Sequence, residues 1–249
     1  MVIVEIKKSN RKSKRRNHRS KSGVNRFRAR PQFPNRPTEN SNYVRLVDSE
    51  PQPSIPGAQT LRGSNWLSCN VVNEFVKLVC DSAGLCRSID STLFIVLTDP
   101  KLGDRIFKWA ECVRVSSGIR QYFLPICVED HWSLLHVDVS KSTGSHVTSM
   151  SQTGNLRFLR TFLRFLSTCN TRQGKNVDFC NFETDIVETC LQPNLYDCGV
   201  YVCLLAFKIS RGLDIGTALP EATSDLWRRR IYTCLREKSV RLLEKIFEK

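Results

Sequence analysis

Two strongly apolar runs, residues 121–128 (QYFLPICV) and 131–139 (HWSLLHVDV), stand two residues apart with only Glu129 and Asp130 between them. A polar two-residue link between such runs specifies an antiparallel β-hairpin whose register is set by the turn. A second polar link, residues 141–144 (KSTG), predicts a hairpin turn into a short returning strand over 145–150. The middle of the chain is thereby committed to antiparallel sheet. Further strands are expected over 93–97 (LFIVL), 177–182 and 184–191.

Around this core the hydrophobic period changes to that of helices. Trp66, Leu67, Val71, Phe75, Leu78 and Val79 predict a helix over 65–83, capped by Ser64 or Asn65. Leu156, Leu159, Leu163 and Leu166 form the inner face of a second, with Arg157, Arg160 and Arg164 on a solvated face. Residues 198–209 are apolar almost throughout and predict a buried helix, and an amphipathic basic helix is expected over 225–247. Helix first, strands in the middle and helices last is an α+β order, in contrast to an alternating βαβ chain.

Residues 1–55 are of a different composition. They hold fourteen of the 38 Lys and Arg but four of the 24 Asp and Glu, so +10 of the formal net charge of +14 sits there. Residues 7–16 read KKSNRKSKRR, and few apolar anchors accompany the basic residues that follow. Such a segment buries too little surface to offset the entropy of ordering it. A disordered basic tail over 1–55 is therefore expected, followed by one domain over 59–249. The cationic run is of the kind nuclear import receptors read. No apolar run approaches the ~20 residues of a membrane span, and the amino terminus lacks a secretory apolar region. The expected location is intracellular, nuclear or cytoplasmic, with no membrane partner. Phe27 and Phe33 stand nearly alone as stacking groups, and the body is nearly neutral, so nucleic acid is expected only through the tail. Eleven cysteines, an odd number with no C-x-x-C pair, read as reduced thiols and offer no paired zinc ligands; no metal or cofactor is expected.

One cysteine has chemically suggestive neighbours. Cys198, in LYDCGV, stands where a turn feeds the amino end of the buried helix, and unpaired backbone N–H groups there favour a thiolate. Gly199 permits close approach, and Gln192, six residues earlier, carries an amide suited to an oxyanion. A base is also needed, and of four histidines His131 opens a strand beside a turn, with Trp132 next to it. Taken singly, Cys198 also reads as a core thiol, Gln192 as a surface amide, His131 as a turn residue and Trp132 as core. Only their joint arrangement points to nucleophilic catalysis.

These residues also carry a family likeness. NWLSCNVVNEF (residues 65–75), HWSLL (131–135) and QPNLYDCGVYVC (192–203) resemble, in order and spacing, the SUMO/sentrin-specific, Ulp-type cysteine proteases. The wording of HWSLL and YDCGVYV is closest to the deneddylase branch. The resemblance implies a papain-like α+β cysteine protease fold, with a central mixed sheet flanked by helices. It implies Cys198 as nucleophile, His131 as general base and Gln192 as oxyanion donor. It further implies that Trp66, Trp132 and Asp197 contact a ubiquitin-like modifier, Nedd-type first and SUMO second, whose Gly-Gly end enters a tunnel too narrow for side chains.

Two positions depart from the family pattern. The family's third catalytic residue, an Asp seventeen after the His, is Thr148 here, and Ser68-Cys69 stands where the family has Asn-Asp. Asp138 is no substitute for that carboxylate, being seven residues or about 23 Å from His131 along an extended strand. Two readings stay open on these grounds: an isopeptidase or processing protease, and a pseudoprotease that binds such a modifier without cleaving it.

Overall fold

The hairpin forms as its two-residue link dictates. Strands β2 (Gln121–Val128) and β3 (His131–Asp138) pair antiparallel, Val128 opposite His131 and Gln121 opposite Asp138. Glu129 and Asp130 both adopt positive φ, 49° and 63°, the geometry that matches the twist of the flanking strands. A computed structural model describes residues 55–99, 101, 118–217 and 224–247. The chain divides into two units, Met1–Asp48 and Ser49–Lys249, and the first lies outside the described residues. The expected tail, 1–55, therefore falls outside the described residues but for Ile55.

Among the described residues the sheet has five strands in sequential order. β1 (Cys86–Ser88) pairs parallel to β2, β4 (Thr143–Thr148) antiparallel to β3, and β5 (Glu183–Glu188) parallel to β4. The period-two alternation sorts β2 and β3 between two cores. Phe123, Trp132 and Leu134 pack with helix α1 (Cys69–Ala83) and with the helix over Cys198–Ser210. Tyr122, Leu124, Ile126, Leu135 and Val137 pack with the helix over Leu156–Arg172. In chain order these helices are α1, α2 (Thr92–Thr98), α3 (Leu156–Arg172), α4 (Cys198–Ser210), α5 (Ser224–Glu237) and α6 (Arg241–Phe247). Mixed sheet and flanking helices make the α+β, papain-like cysteine protease fold that the resemblance implied.

Four local expectations change. Residues 93–97 form a helix instead of a strand: the Asp90 carboxylate accepts from Thr92 N and Oγ1 at 2.8 and 2.7 Å, starting a turn, and Ile95 faces out. An unbroken apolar run has no period to tell the two apart. α1 begins at Cys69 with Ser68 as its cap, leaving Trp66 and Leu67 outside the helix. Residues 177–182 are no strand; Asp178 caps a single 3-10 turn, Phe179–Asn181, that buries Phe179 in the core beside α3. The last helix is two, because Lys238 takes positive φ and the Ser239 N–H closes back on the Cys234 carbonyl.

His136 gives this fold an acid limit. It lies on β3 against Phe123, ring centres 4.9 Å apart, and burial pushes its pKa down to about 4, with Asp138 partly opposing and Lys141 assisting. The folded state thus favours neutral imidazole. That contribution is complete above the unfolded value near 6.5 and is lost as pH falls from there toward 4. Urea unfolding at pH 7 and at pH 4 should differ by up to about 3 kcal/mol from this group. His136→Phe should remove most of that difference; equal acid sensitivity in both proteins would place the limit elsewhere.

Candidate active site

The start of α4 is assembled from distant segments around one buried cation. Arg228 on α5 is 1% exposed and Asp197 2%, and they pair at 2.8 Å. The guanidinium also donates to the carbonyls of Thr60, Asn65 and Tyr196 at 3.0, 2.8 and 3.1 Å. It therefore ties the segment before α1 to the loop that delivers Cys198. Asp197 in turn accepts from Ser224 Oγ and Asn194 Nδ2, and Asn194 Oδ1 accepts the N–H groups of Tyr196 and Asp197. A turn closed on itself in this way aims the helix start without help from solvent.

Leu67 locks the other side. The Trp132 Nε1–H donates to its carbonyl at 3.1 Å. A Cβ on Gly199 would come within 2.9 Å of the Leu67 Cβ, so the glycine is required for this close approach. Both indoles of the expected modifier contact are thus linked to the start of α4 through Leu67. Trp66, the residue before it, is 49% exposed, whereas Trp132 is 3% exposed.

At this junction lies the Cys198 thiol. Burial pushes its pKa up, and the backbone N–H groups of Trp132, Gly199 and Cys198 itself pull it partway back, with the Asp197 charge adding to the rise. The Trp132 N–H belongs to the residue directly after His131, so the start of α4 that carries Cys198 faces the start of β3. Burial, aided by His146, holds the His131 imidazole below its ordinary pKa. Both shifts favour a resting pair of neutral thiol and neutral imidazole.

Thr148 stands at the Nε2 of His131. Its Oγ1 lies 3.1 Å from His131 Nε2, contacts Thr153 Oγ1 at 2.6 Å and accepts from the Met150 N–H at 3.2 Å. The seventeen-residue spacing places it there because β3 and β4 are neighbours, and Asp138 stays at the far end of β3, bonded to Ser140 N and Lys141 N. Gln192 is half-buried after β5. Its N–H donates to the Ser149 carbonyl, its Oε1 accepts from Ser149 Oγ at 2.8 Å and its Nε2 donates to the Asn194 carbonyl at 2.6 Å. One amide hydrogen of Nε2 is left over from that bond.

Asp197 is not positioned to touch a modifier. It lies beneath Cys198 with its carboxylate given to Arg228, Ser224 and Asn194, and its place is in the scaffold. Residue patterns also missed Arg228, which sits in a run of three arginines on an amphipathic helix and reads as solvated charge. They missed Ser133 and His146 as well: His146 Nδ1 accepts from Asn155 N at 2.8 Å, leaving its Nε2–H for Ser133 Oγ at 2.8 Å. Polar residues inside a strand carry no sign of which face they take until the register is known.

Comparison with known proteins is consistent with this geometry. Ubiquitin-like-specific protease 1 of Saccharomyces cerevisiae is 25% identical over 148 residues, covering 59% of this chain and 24% of that protein. Sentrin-specific protease 3 of Homo sapiens is 28% identical over 148 residues, covering 57% and 25%. The chain thus spans about a quarter of the length of these relatives. The crystal structure of the C-terminal Ulp1 protease domain in complex with Smt3, the yeast ortholog of SUMO, superposes with a TM-score of 0.63 at 21% identity, over 73% of this chain and 81% of that one. The Chaetomium thermophilum Ulp1-like SUMO protease catalytic domain gives 0.58 at 23%, over 72% and 76%. Residues 120–239, which carry the hairpin, the Gln192 loop and the Cys198 helix, match the Ulp1 protease family, C-terminal catalytic domain.

Proposed function

We propose that this protein is a cysteine peptidase that cleaves after the Gly-Gly end of a ubiquitin-like modifier. The observation that carries the reading is the Cys198 thiol at the start of α4, facing the backbone N–H of the residue that follows His131. In the proposed mechanism His131 Nδ1 takes the thiol proton as Sγ attacks the carbonyl of the terminal glycine. The oxyanion that forms is met by backbone N–H groups at the helix start and by the Gln192 amide. His131 returns the proton to the leaving amine, and water then releases the acyl group by the same route. Trp66 supplies an exposed wall beside the approach to Cys198, and only a glycine tail fits so close to a packed helix start. The names of the relatives favour SUMO as the modifier, while the wording of residues 131–135 and 196–202 favours a Nedd-type one.

The test is to incubate the full chain with a panel of ubiquitin-like modifiers bearing a C-terminal electrophile. A covalent adduct with SUMO or a Nedd-type modifier is expected. Binding without an adduct would favour the second reading, a pseudoprotease, and absence of binding would overturn both.

That second reading rests on Thr148, which gives His131 no negative charge. A neutral hydrogen bond contributes ~1 kcal/mol and one to a charged group ~1.5–3. The difference, about 0.5–2 kcal/mol, corresponds to roughly two- to thirty-fold in rate when expressed in the transition state. Thr148→Asp should thus speed precursor cleavage several-fold, since the Met150 N–H already donates to that position and His131 Nε2 lies 3.1 Å from it. It should also move the acid limb of kcat/KM to higher pH, because a carboxylate beside His131 favours imidazolium and so raises the pH at which the neutral base is lost. A folded, modifier-binding Thr148→Asp protein that cleaves no faster would refute this role for position 148.

A further inference from the structure

Thr148 is a hydroxyl that can donate to His131 or accept from it, and only one of these leaves His131 Nδ1 free to take a proton. The neighbouring oxygens decide between them. Thr153 Oγ1 lies 2.7 Å from the Met150 carbonyl and 2.6 Å from Thr148 Oγ1. Each is an oxygen–oxygen contact that needs a hydrogen between its atoms. The carbonyl has none, so the Thr153 hydrogen fills the contact to Met150. The hydrogen in the 2.6 Å contact then belongs to Thr148. The Met150 carbonyl, 3.2 Å from Thr148 Oγ1, already receives the shorter Thr153 bond, so with its hydrogen committed to Thr153, Thr148 accepts from the Met150 N–H at 3.2 Å and from His131 Nε2 at 3.1 Å.

We propose that Thr153 is a positioning residue: by holding the Thr148 hydroxyl hydrogen, it keeps neutral His131 in the Nε2–H tautomer and leaves Nδ1 as the base. The inference rests on the proposed function for its catalytic consequence, but the tautomer itself exists without substrate. It replaces the family's carboxylate, which can only accept, with a hydroxyl whose direction is set by a second hydroxyl. If Thr153 is absent, the Thr148 hydrogen is released and divides between the Met150 carbonyl at 3.2 Å and, at 3.1 Å, His131 Nε2. That pairing stabilises the Nδ1–H tautomer, which presents a donor where an acceptor is needed.

The experiment is a long-range 1H–15N correlation spectrum of the full chain with labelled histidine at a pH where His131 is neutral, its signals assigned by their loss in His131→Gln. His146, whose Nδ1 accepts from Asn155, serves as an internal Nε2–H reference, and His136 reports on the fold. His131 should show the Nε2–H pattern. Thr153→Val should raise the Nδ1–H population and lower kcat at least roughly threefold with KM nearly unchanged, and Thr153→Ser should restore both. In Thr148→Asp the Nε2–H pattern should persist with or without Thr153→Val. If Thr153→Val fails to fold, Thr153→Ala is read in the same way.

An Nδ1–H pattern in the unsubstituted protein would overturn the proposal. So would a Thr153→Val spectrum identical to the parent with the other histidines unmoved. A Thr153-dependent Nε2–H pattern in a protein that cleaves no modifier would uphold the inference and refute the peptidase reading, so the two failures are distinct.

Discussion

Cys198→Ser should abolish covalent capture of every electrophile-tagged modifier while leaving the other ten cysteines in place. The expectation is demanding because Cys198 is buried, whereas Cys69, Cys127 and Cys180 are exposed and would meet a small alkylating agent first. Exposure is not what a tethered electrophile reads. A modifier tail delivers its reactive carbon to one point, and the N–H groups of Trp132, Gly199 and Cys198 converge on only one of these thiols. Position then outweighs access by the effective concentration it creates. A serine in the same place has a far less acidic hydroxyl and a base tuned to a thiol. Removal of the nucleophile in a well-studied serine protease lowers turnover by about 10⁶, and adduct formation should likewise fall below detection by mass spectrometry. An adduct on Cys69 or Cys127 in the substituted protein, formed at the parent rate, would move the site.

Arg228→Leu should be the most destabilising single change in the domain. It strips Asp197 of its counter-charge in a nearly water-free setting and frees the carbonyls of Thr60, Asn65 and Tyr196. Breaking a buried pair from one side costs about 3–5 kcal/mol, a large share of the ~5–15 kcal/mol that keeps a typical domain folded. Adding Asp197→Asn should recover part of the loss, because it removes the orphaned charge while an amide can still meet Ser224 and Asn194. Urea titration of the parent, single and double variants measures this coupling. Equal stability of single and double variants would mean that Arg228 acts through its carbonyl bonds alone.

What the amino-acid sequence determined by itself is local or periodic. The β2–β3 hairpin follows from Glu129 and Asp130, because a two-residue link leaves one register. Thr148 beside His131 was legible only through the family resemblance, and the short turn joining β3 to β4 is the physical reason that seventeen residues along the chain bring it there. Cys198 at a helix start, Gln192 before it and His131 at a strand start were visible as residue types at known spacing. Tertiary structure alone decided the rest. Whether residues 93–97 are helix or strand depended on Asp90 and on what the run packs against. Arg228 is set apart from its neighbours Arg229 and Arg230 by facing Asp197, and two of its three carbonyl partners lie 163 and 168 residues away in the chain. Thr153 matters because two hydroxyls and a carbonyl meet at hydrogen-bonding distance after the chain turns back, and no local pattern encodes which oxygen receives which hydrogen. Hydrogen-bond direction and charge pairing in a buried site depend on all the partners present at once, and those partners are brought together only by the fold.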